Sequence, residues 1–332
     1  MGKRNCRRMQ QIDLIRAPIK KELKTFEKVF NASMRSAAPL LDKVMQYIVR
    51  TKGKKLRPMF VLLTANINGG IKESTYRAAS LIELLHTATL VHDDVVDDSN
   101  QRRGFFSVNA LWKNKIAVLA GDYLLSRGML LAVENNDFQL LRIVSNAVRE
   151  MSEGELLQIE KARRLDVQED VYFEIIRKKT ASLIAGCCAV GAASAGADDD
   201  AIARMNHFGT LVGTAFQIKD DILDFQDSAV TGKPSGIDIK ERKMTLPLIY
   251  LLNRSNRIEK RLIINLVKNH NNEPDKVHQL MMKVRDSGGL DYAAQKMDEL
   301  IQEAMAQLDP YPESESLNAL RALVDYSIKR KN

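Results

Sequence analysis

Apolar side chains recur at three- and four-residue intervals along almost the whole chain, as in Leu81, Leu84, Leu85 and Ala88, and again in Met297, Leu300, Ile301, Ala304 and Met305. That spacing follows the helical turn and turns one stripe of each segment toward a core. No stretch shows the strict alternation of a half-buried strand, so the chain is confined to an all-α fold. Glycine (17) and proline (8) are scarce among its 332 residues, which favours long uninterrupted helices over a turn-rich architecture. The pattern predicts helices over residues 8–17, 19–32, 37–50, 55–68, 73–98, 107–113, 116–134, 137–163, 168–196, 199–227 and 243–253, with three or four shorter ones reaching residue 330.

The breaks are short: Gly69-Gly70, Arg103-Gly104, Asn135-Asn136, Asp309 to Pro312, and a longer stretch from Asp227 to Arg242. None has the composition of a linker and no repeat recurs at a fixed period, so the expectation is one domain over 1–332 with basic tails at 1–10 and 328–332. The net charge of +8 (50 Lys+Arg against 42 Asp+Glu) draws on Lys3, Arg4, Arg7, Arg8, Lys329, Arg330 and Lys331 in those tails. The body is near neutral, which excludes a broad nucleic-acid-binding face. The tails read as solvated ends, with adhesion to an anionic membrane surface as the alternative.

Three cysteines, Cys6, Cys187 and Cys188, lack a CxxC spacing and cannot build a disulfide framework, which fits a reducing cytoplasmic compartment. The adjacent pair sits among small residues and reads as core. The charged N-terminus has no apolar run behind it, and the charge-free run from Ala181 to Ala197 is too short for a bilayer, so no transmembrane segment is expected.

Two acid clusters stand out, His92-Asp93-Asp94-Val95-Val96-Asp97-Asp98 and Lys219-Asp220-Asp221-Ile222-Leu223-Asp224. Asp93 and Asp97 are four residues apart, as are Asp220 and Asp224, so each helix projects two carboxylates from one face. A solvated face would relieve their repulsion with interleaved lysines, but the neighbours are Leu90, Val91, Val95, Val96, Ile218, Ile222 and Leu223. A hard cation relieves it instead. Mg²⁺ takes one or two carboxylates and leaves its other positions to water and phosphate, so the pair of clusters points to a diphosphate clamp.

The cations are complementary. Arg50, Lys52, Lys54, Lys55 and Arg57 crowd the turn before a helix, with Gly53 and Pro58 among them, and Arg102 and Arg103 follow the first acid cluster. Guanidinium groups and helix N-terminal amides grip phosphate oxygens, although a basic loop is more often merely solvated. Lys179, Thr180 and Gln217 lie beside apolar stretches and can face the same cavity, while Gly232-Lys233-Pro234-Ser235-Gly236 and Lys243 add charge beyond the second cluster. His86 falls about two helical turns before Asp93 on roughly the same face; a satisfied core histidine is its bland reading. His207 reads as a core or capping residue.

These strings together resemble the trans-isoprenyl diphosphate synthases, the polyprenyl synthetase family, and in particular its long-chain bacterial members. The matching segments are Gly53-Lys-Lys-Leu-Arg-Pro58, Leu84-Leu-His-Thr-Ala-Thr-Leu-Val-His-Asp-Asp-Val-Val-Asp-Asp98, Arg102-Arg-Gly104, Gly121-Asp-Tyr-Leu-Leu125, Glu153-Gly-Glu155 with Gln158, Lys179-Thr180, Phe216-Gln-Ile-Lys-Asp-Asp-Ile-Leu-Asp224, Gly232-Lys-Pro-Ser-Gly236 and Thr245-Leu-Pro247. The resemblance implies a bundle of about 10–14 helices around a deep central cavity, usually a homodimer, binding about three Mg²⁺ ions. It implies that Asp93, Asp94 and Asp97, and Asp220, Asp221 and Asp224, hold the metal. Lys54, Arg57, His86 and Arg103 would bind isopentenyl diphosphate, while Arg102, Lys179, Thr180, Gln217 and Lys233 would serve the allylic diphosphate. Three positions depart from the family pattern: Lys55 stands where arginine is frequent, Lys219 where an uncharged residue is, and Arg242 where glycine is.

On this reading the allylic carbon–oxygen bond breaks with charge stabilised by Mg²⁺ and by cationic side chains including Lys179, the double bond of isopentenyl diphosphate attacks, and the departing diphosphate removes the proton. No side chain stands out as general base. The Asp227 to Arg242 segment and the C-terminal segment are candidate lids that exclude water. Ala88 and Thr89 lie along the helix on the side of Asp93 away from the metal, and in the resembled family bulky residues there stop the growing chain. Both are small here, which predicts a long product halted by deeper walls near Met129 or Leu130, with a quinone side chain as its use. The alternatives are a short-chain farnesyl or geranylgeranyl diphosphate synthase, a class I terpene cyclase, and a non-catalytic partner subunit. A lipophilic product implies peripheral membrane contact without an anchor.

Overall fold

Thr75 Oγ1 accepts the Lys72 backbone N–H at 3.1 Å, and this cap opens the long helix Glu73–Val96. Asn256 does the same for Arg257–Asn269, taking the N–H groups of Ile258 and Glu259 at 3.0 Å while Glu259 reaches back to the Asn256 N–H. In the computed structural model, which describes residues 12–50, 53, 55–102, 104–165, 168–226 and 235–328, such helices follow one another from end to end. They are α1 (Lys20–Ser33), α2 (Pro39–Arg50), α3 (Leu56–Ile67), α4 (Glu73–Val96), α5 (Val108–Val133), α6 (Phe138–Arg164), α7 (Glu169–Ile176), α8 (Ser182–Ala195), α9 (Asp199–Asp224), α10 (Leu246–Arg254), α11 (Arg257–Asn269), α12 (Pro274–Asp286), α13 (Gly289–Ala306) and α14 (Glu315–Ile328).

The all-α expectation holds, with local differences. Residues 107–113 and 116–134 form one helix, α5, interrupted at Lys113, whose φ of 71° and ψ of 162° are non-helical. The expected 168–196 helix is divided by a π-helical turn, Arg177–Ala181. A two-stranded ribbon that the sequence did not suggest, β1 (Gln101–Arg102) and β2 (Phe105–Phe106), pairs antiparallel with Arg102 opposite Phe105. Gly104 at φ +79° turns the chain between them, a conformation glycine adopts without strain.

Contacts group the residues into two compact units, although no linker marks a division in the sequence. The first comprises Met1–Val148, Ala185–Asn206 and Pro310–Leu323. Its centre is α4 against α5, brought close by small residues: a Cβ at Gly121 would lie 2.1 Å from His92 Nε2, and one at Gly128 would lie 2.3 Å from Leu85 Cδ1. Gly191 of α8 meets α3 in the same way: a Cβ there would lie 2.6 Å from the Val61 carbonyl oxygen. Cys187 and Cys188 are fully buried as expected, and burial pushes the Cys187 thiol up to about 12, so it remains protonated.

The helical phase of α5 corrects one expectation. Its inward face carries Ala117, Ala120, Gly121, Leu124, Gly128 and Ala132. Met129 and Leu130 lie on the opposite face, 48% and 45% exposed, and therefore do not wall a cavity. Among the described residues α5 is also the one helix long and apolar enough to cross a membrane by length and composition, which the sequence reading had not flagged. Core helices pass the same test.

The second unit comprises Arg149–Ile184, His207–Asp309 and Val324–Asn332. Its core joins Tyr172 and Ile176 to Ile218 and Ile222 of α9, to Phe225 just beyond it and to Leu246, Leu248 and Ile249 of α10, with Leu280 and Val284 of α12. Gly289 lets α13 start against α10, where a Cβ would stand 2.6 Å from the Pro247 carbonyl oxygen.

Candidate active site

The first acid cluster ends α4. Asp93 and Asp97 are exposed, one turn apart, whereas Asp94 is only 4% exposed and turns inward. Arg102 Nε donates to Asp94 Oδ1 at 2.8 Å, and Asn109 Nδ2 donates to the Asp94 carbonyl oxygen at 3.0 Å. The structure thus pairs Asp94 with Arg102, two residues for which the sequence reading gave separate roles. Ala88, earlier on the same helix, is fully buried, and Thr89 is half-buried with its hydroxyl bonded to the His86 carbonyl at 2.8 Å.

The second cluster ends α9 and repeats the arrangement within its own unit. Asp220 is half-buried, and Asp221 is buried with both oxygens engaged: Tyr172 Oη donates to Oδ2 at 2.7 Å and Gln217 Nε2 to Oδ1 at 2.9 Å. Asp224 accepts the backbone N–H groups of Ile237 and Asp238 at 3.0 and 3.1 Å. Burial, reinforced by the Asp238 charge, raises Asp221 to about 7. Burial likewise raises Asp238 to about 6 against the opposing charge of Lys243, and raises Asp224. Burial alone would lower Lys243, but Asp238 and Glu241 overcome it and hold its ammonium firmly charged.

Carboxylate oxygens on adjacent turns suit a hard cation that completes its shell with water and phosphate. Asp93, Asp97 and Asp220 are the outward-facing candidates. Among the described residues no group of three or more acidic, histidine or cysteine side chains converges into a preformed metal cage. Mg²⁺ ordinarily takes one or two carboxylates, a demand that carboxylates on adjacent turns meet, and Asp94 and Asp221 are anchored to protein groups.

The π turn places Lys179 and Thr180. Lys179 Nζ pairs with Glu155 Oε2 at 2.5 Å, and the Thr180 hydroxyl donates to Gln217 Oε1 at 2.8 Å, so a chain of hydrogen bonds runs Thr180, Gln217, Asp221, Tyr172. Two glycines bracket the turn: a Cβ at Gly154 would stand 2.5 Å from the Lys179 nitrogen, and one at Gly213 would stand 2.5 Å from Ala181 Cα. The extra residue of a π turn shifts the helical phase and is often found at functional sites. Beside it opens a cavity of about 140 Å³ lined by Lys161, Lys179, Arg242 and Lys243 with Gln158, Thr180, Gln217, Asp221 and Thr245. Three lysines and an arginine share this lining with one carboxylate, Asp221, and two of the lysines are paired with carboxylates outside the lining.

Arg57 opens α3, and its buried Nε has no hydrogen-bond partner among the described residues, as expected of a group awaiting an anion. His86 is buried on α4. Lys55 occupies left-handed backbone at φ +59° and pairs with Glu27. Lys54, Arg103 and Lys233 lie outside the described residues, as do both basic tails, Cys6 and residues 227–234 of the expected lid. His207 caps nothing; it pairs with Glu303 at 3.1 Å on the surface.

Tyr172, Asp238 and Lys161 were not among the residues read from the sequence, and Glu155 was named only within the Glu153-Gly-Glu155 segment, without a role. Tyr172 precedes Lys179 by seven residues, two helical turns, and Gln217 precedes Asp221 by four, so phase alone could have linked them. Asp238 and Lys161 carry no such signal.

Residues 38–284 match the family model described as polyprenyl synthetase. The chain is 36% identical over 318 residues to the all-trans-nonaprenyl-diphosphate synthase (geranyl-diphosphate specific) of Rhodobacter capsulatus, covering 95% of this chain and 97% of that one. A crystal structure of a decaprenyl diphosphate synthase from Rhodobacter capsulatus superposes with a TM-score of 0.90 at 32% identity, covering 97% and 99% of the two chains. A polyprenyl synthase from Caulobacter crescentus CB15, complexed with calcium and isoprenyl diphosphate, superposes with a TM-score of 0.87 at 31% identity, covering 97% and 98%.

Proposed function

The chain belongs to the polyprenyl synthetase family and is a polyprenyl diphosphate synthase, and we propose that it adds isopentenyl diphosphate repeatedly to an allylic diphosphate, giving a long-chain all-trans product. The observation that carries the site assignment is the cation-lined cavity flanked by the Thr180–Gln217–Asp221–Tyr172 chain.

Lys179 and Lys243 bind the allylic diphosphate, together with Lys233. Lys179 and the Thr180 hydroxyl, set by the π turn, stabilise charge as the carbon–oxygen bond breaks, and Gln217 holds that hydroxyl in orientation. Asp93, Asp97 and Asp220 hold Mg²⁺, with Asp94, Asp221 and Asp224 supporting them, and the family resemblance implies about three ions. When bound, the metal neutralises and polarises the leaving diphosphate. Lys54, Arg57, His86 and Arg103 take isopentenyl diphosphate. Arg102 serves the allylic site through its grip on Asp94.

We infer further that two copies pair through the outward face of α5, where Leu119, Met129, Leu130 and Val133 are exposed. The enzyme works in the cytoplasm and touches membranes only to deliver its lipophilic product.

The test is incubation of the purified protein with isopentenyl diphosphate and geranyl or farnesyl diphosphate in Mg²⁺, followed by pyrophosphate release and chromatography of the dephosphorylated products. Chains well beyond geranylgeranyl are expected, and chelation or Asp93→Ala or Asp220→Ala should cut turnover by orders of magnitude with the helical signal unchanged. A cyclised hydrocarbon, or activity only with a second polypeptide added, would replace this reading with a cyclase or a partner subunit.

A further inference from the structure

After Asp224 and the residues beyond it, the chain forms a single helical turn, Ile237–Lys240, closed by two backbone bonds: the Arg242 N–H donates to the Ile239 carbonyl at 3.0 Å and the Lys243 N–H to the Asp238 carbonyl at 2.8 Å. This closure puts the residue after the turn in left-handed backbone, where glycine is the ordinary occupant. Arg242 stands there with φ +58°. An L side chain in this region brings its Cβ too close to a carbonyl oxygen, and neither closing bond uses the arginine side chain.

What the arginine gains lies at the cavity. Arg242 is exposed and lines the same space as Lys161, Lys179 and Lys243. Lys179 is paired with Glu155, and Lys243 with Asp238 and Glu241, so part of their charge is already spent on protein carboxylates. Arg242 makes no ion pair among the described residues, and a guanidinium is the side chain best shaped to take two oxygens of one phosphate. Backbone held in an unfavourable region is commonly kept where the side chain it aims has work to do.

We propose that Arg242 is a substrate-contacting residue, its guanidinium donating to diphosphate oxygens of the allylic substrate in this cavity. The assignment rests on the prenyl diphosphate synthase reading, which it deepens by adding a cation at a position the backbone reserves for glycine.

The experiment compares wild type with Arg242→Gly and Arg242→Gln. Affinity for inorganic pyrophosphate in Mg²⁺ is measured by calorimetry, Tm without ligand by circular dichroism, and KM for each substrate by pyrophosphate release. Arg242→Gly relieves the backbone and removes the cation, so its Tm should equal or exceed that of wild type while pyrophosphate affinity and allylic KM worsen about tenfold. KM for isopentenyl diphosphate should not change. Arg242→Gln keeps the strained backbone and should lose the same affinity without gaining stability. Wild-type affinity and allylic KM in Arg242→Gly would overturn the assignment, and so would a loss accompanied by a lower Tm, which would make the arginine structural. A wild type that binds pyrophosphate but makes no prenyl product would instead remove the synthase reading and leave the arginine contact standing.

Discussion

Tyr172 donates its buried hydroxyl to Asp221 at 2.7 Å, so a side chain two turns before Lys179 fixes the middle carboxylate of the second acid cluster. Asp94 in the first cluster is fixed by Arg102 at 2.8 Å. The first cluster therefore commits one carboxylate, Asp94, to the protein, and the second commits two, Asp221 and Asp224. A residue that only positions Asp221 is separable from one that binds substrate.

Tyr172→Phe removes that hydroxyl and leaves a buried carboxyl oxygen unsatisfied. Stability should fall by about 1–3 kcal/mol, read as a lower Tm, and kcat should fall about tenfold as Asp221 and Gln217 lose their orientation. KM for isopentenyl diphosphate should stay within twofold of wild type, because Tyr172 acts through Asp221 and Gln217 and not through the residues assigned to that substrate. A variant with wild-type Tm and kcat would show that the bond carries neither.

Asp221 is raised to about 7 and Asp238 to about 6, in both cases chiefly by burial. The folded chain therefore retains protons that the unfolded chain releases above about pH 4. More protons on the folded side means that stability from these groups is lost as pH rises through about 4 to 7, and is level above that. In chelator, the Tm of Asp221→Asn should rise relative to wild type across this window. Parallel profiles for the two proteins would contradict the assignment.

Arg57→Ala should raise KM for isopentenyl diphosphate at least tenfold with little change in allylic KM, since its buried Nε has no hydrogen-bond partner among the described residues to lose. Lys179→Ala should instead lower kcat and impair the allylic substrate, and it also leaves Glu155 without its ion-pair partner. Steady-state kinetics with each substrate varied separately reads the split. Equal defects toward both substrates in both variants would merge the two sites.

Ala88 is fully buried on α4, on the Leu84, Leu85 and Ala88 face. If that position borders the path of the growing chain, Ala88→Phe should keep activity and shift products to short chains, because the diphosphate end is untouched. If it is only close-packed, the ring overpacks the core and costs about 1–3 kcal/mol. Product chromatography together with Tm separates the two: shortened products at near-native Tm support the path, and an unchanged distribution removes it.

Helix periodicity was legible in the sequence because an amphipathic stripe is a local property: the spacing of Leu81, Leu84, Leu85 and Ala88 is a fact about neighbours on one helix. The same holds for the four-residue spacing of Asp93 and Asp97. Family membership was legible too, since its motifs are short strings in a fixed order. What depended on long-range contacts was not. Which aspartates face outward was decided by Arg102 and Tyr172, and the π turn was decided by the backbone approaches at Gly154 and Gly213. The outward phase of Met129 and Leu130 was decided by α5 packing its small residues on α4. Sequence spacing specifies the faces of a helix, but only packing chooses which face is buried, because that choice rests on apolar surface that distant segments remove from water.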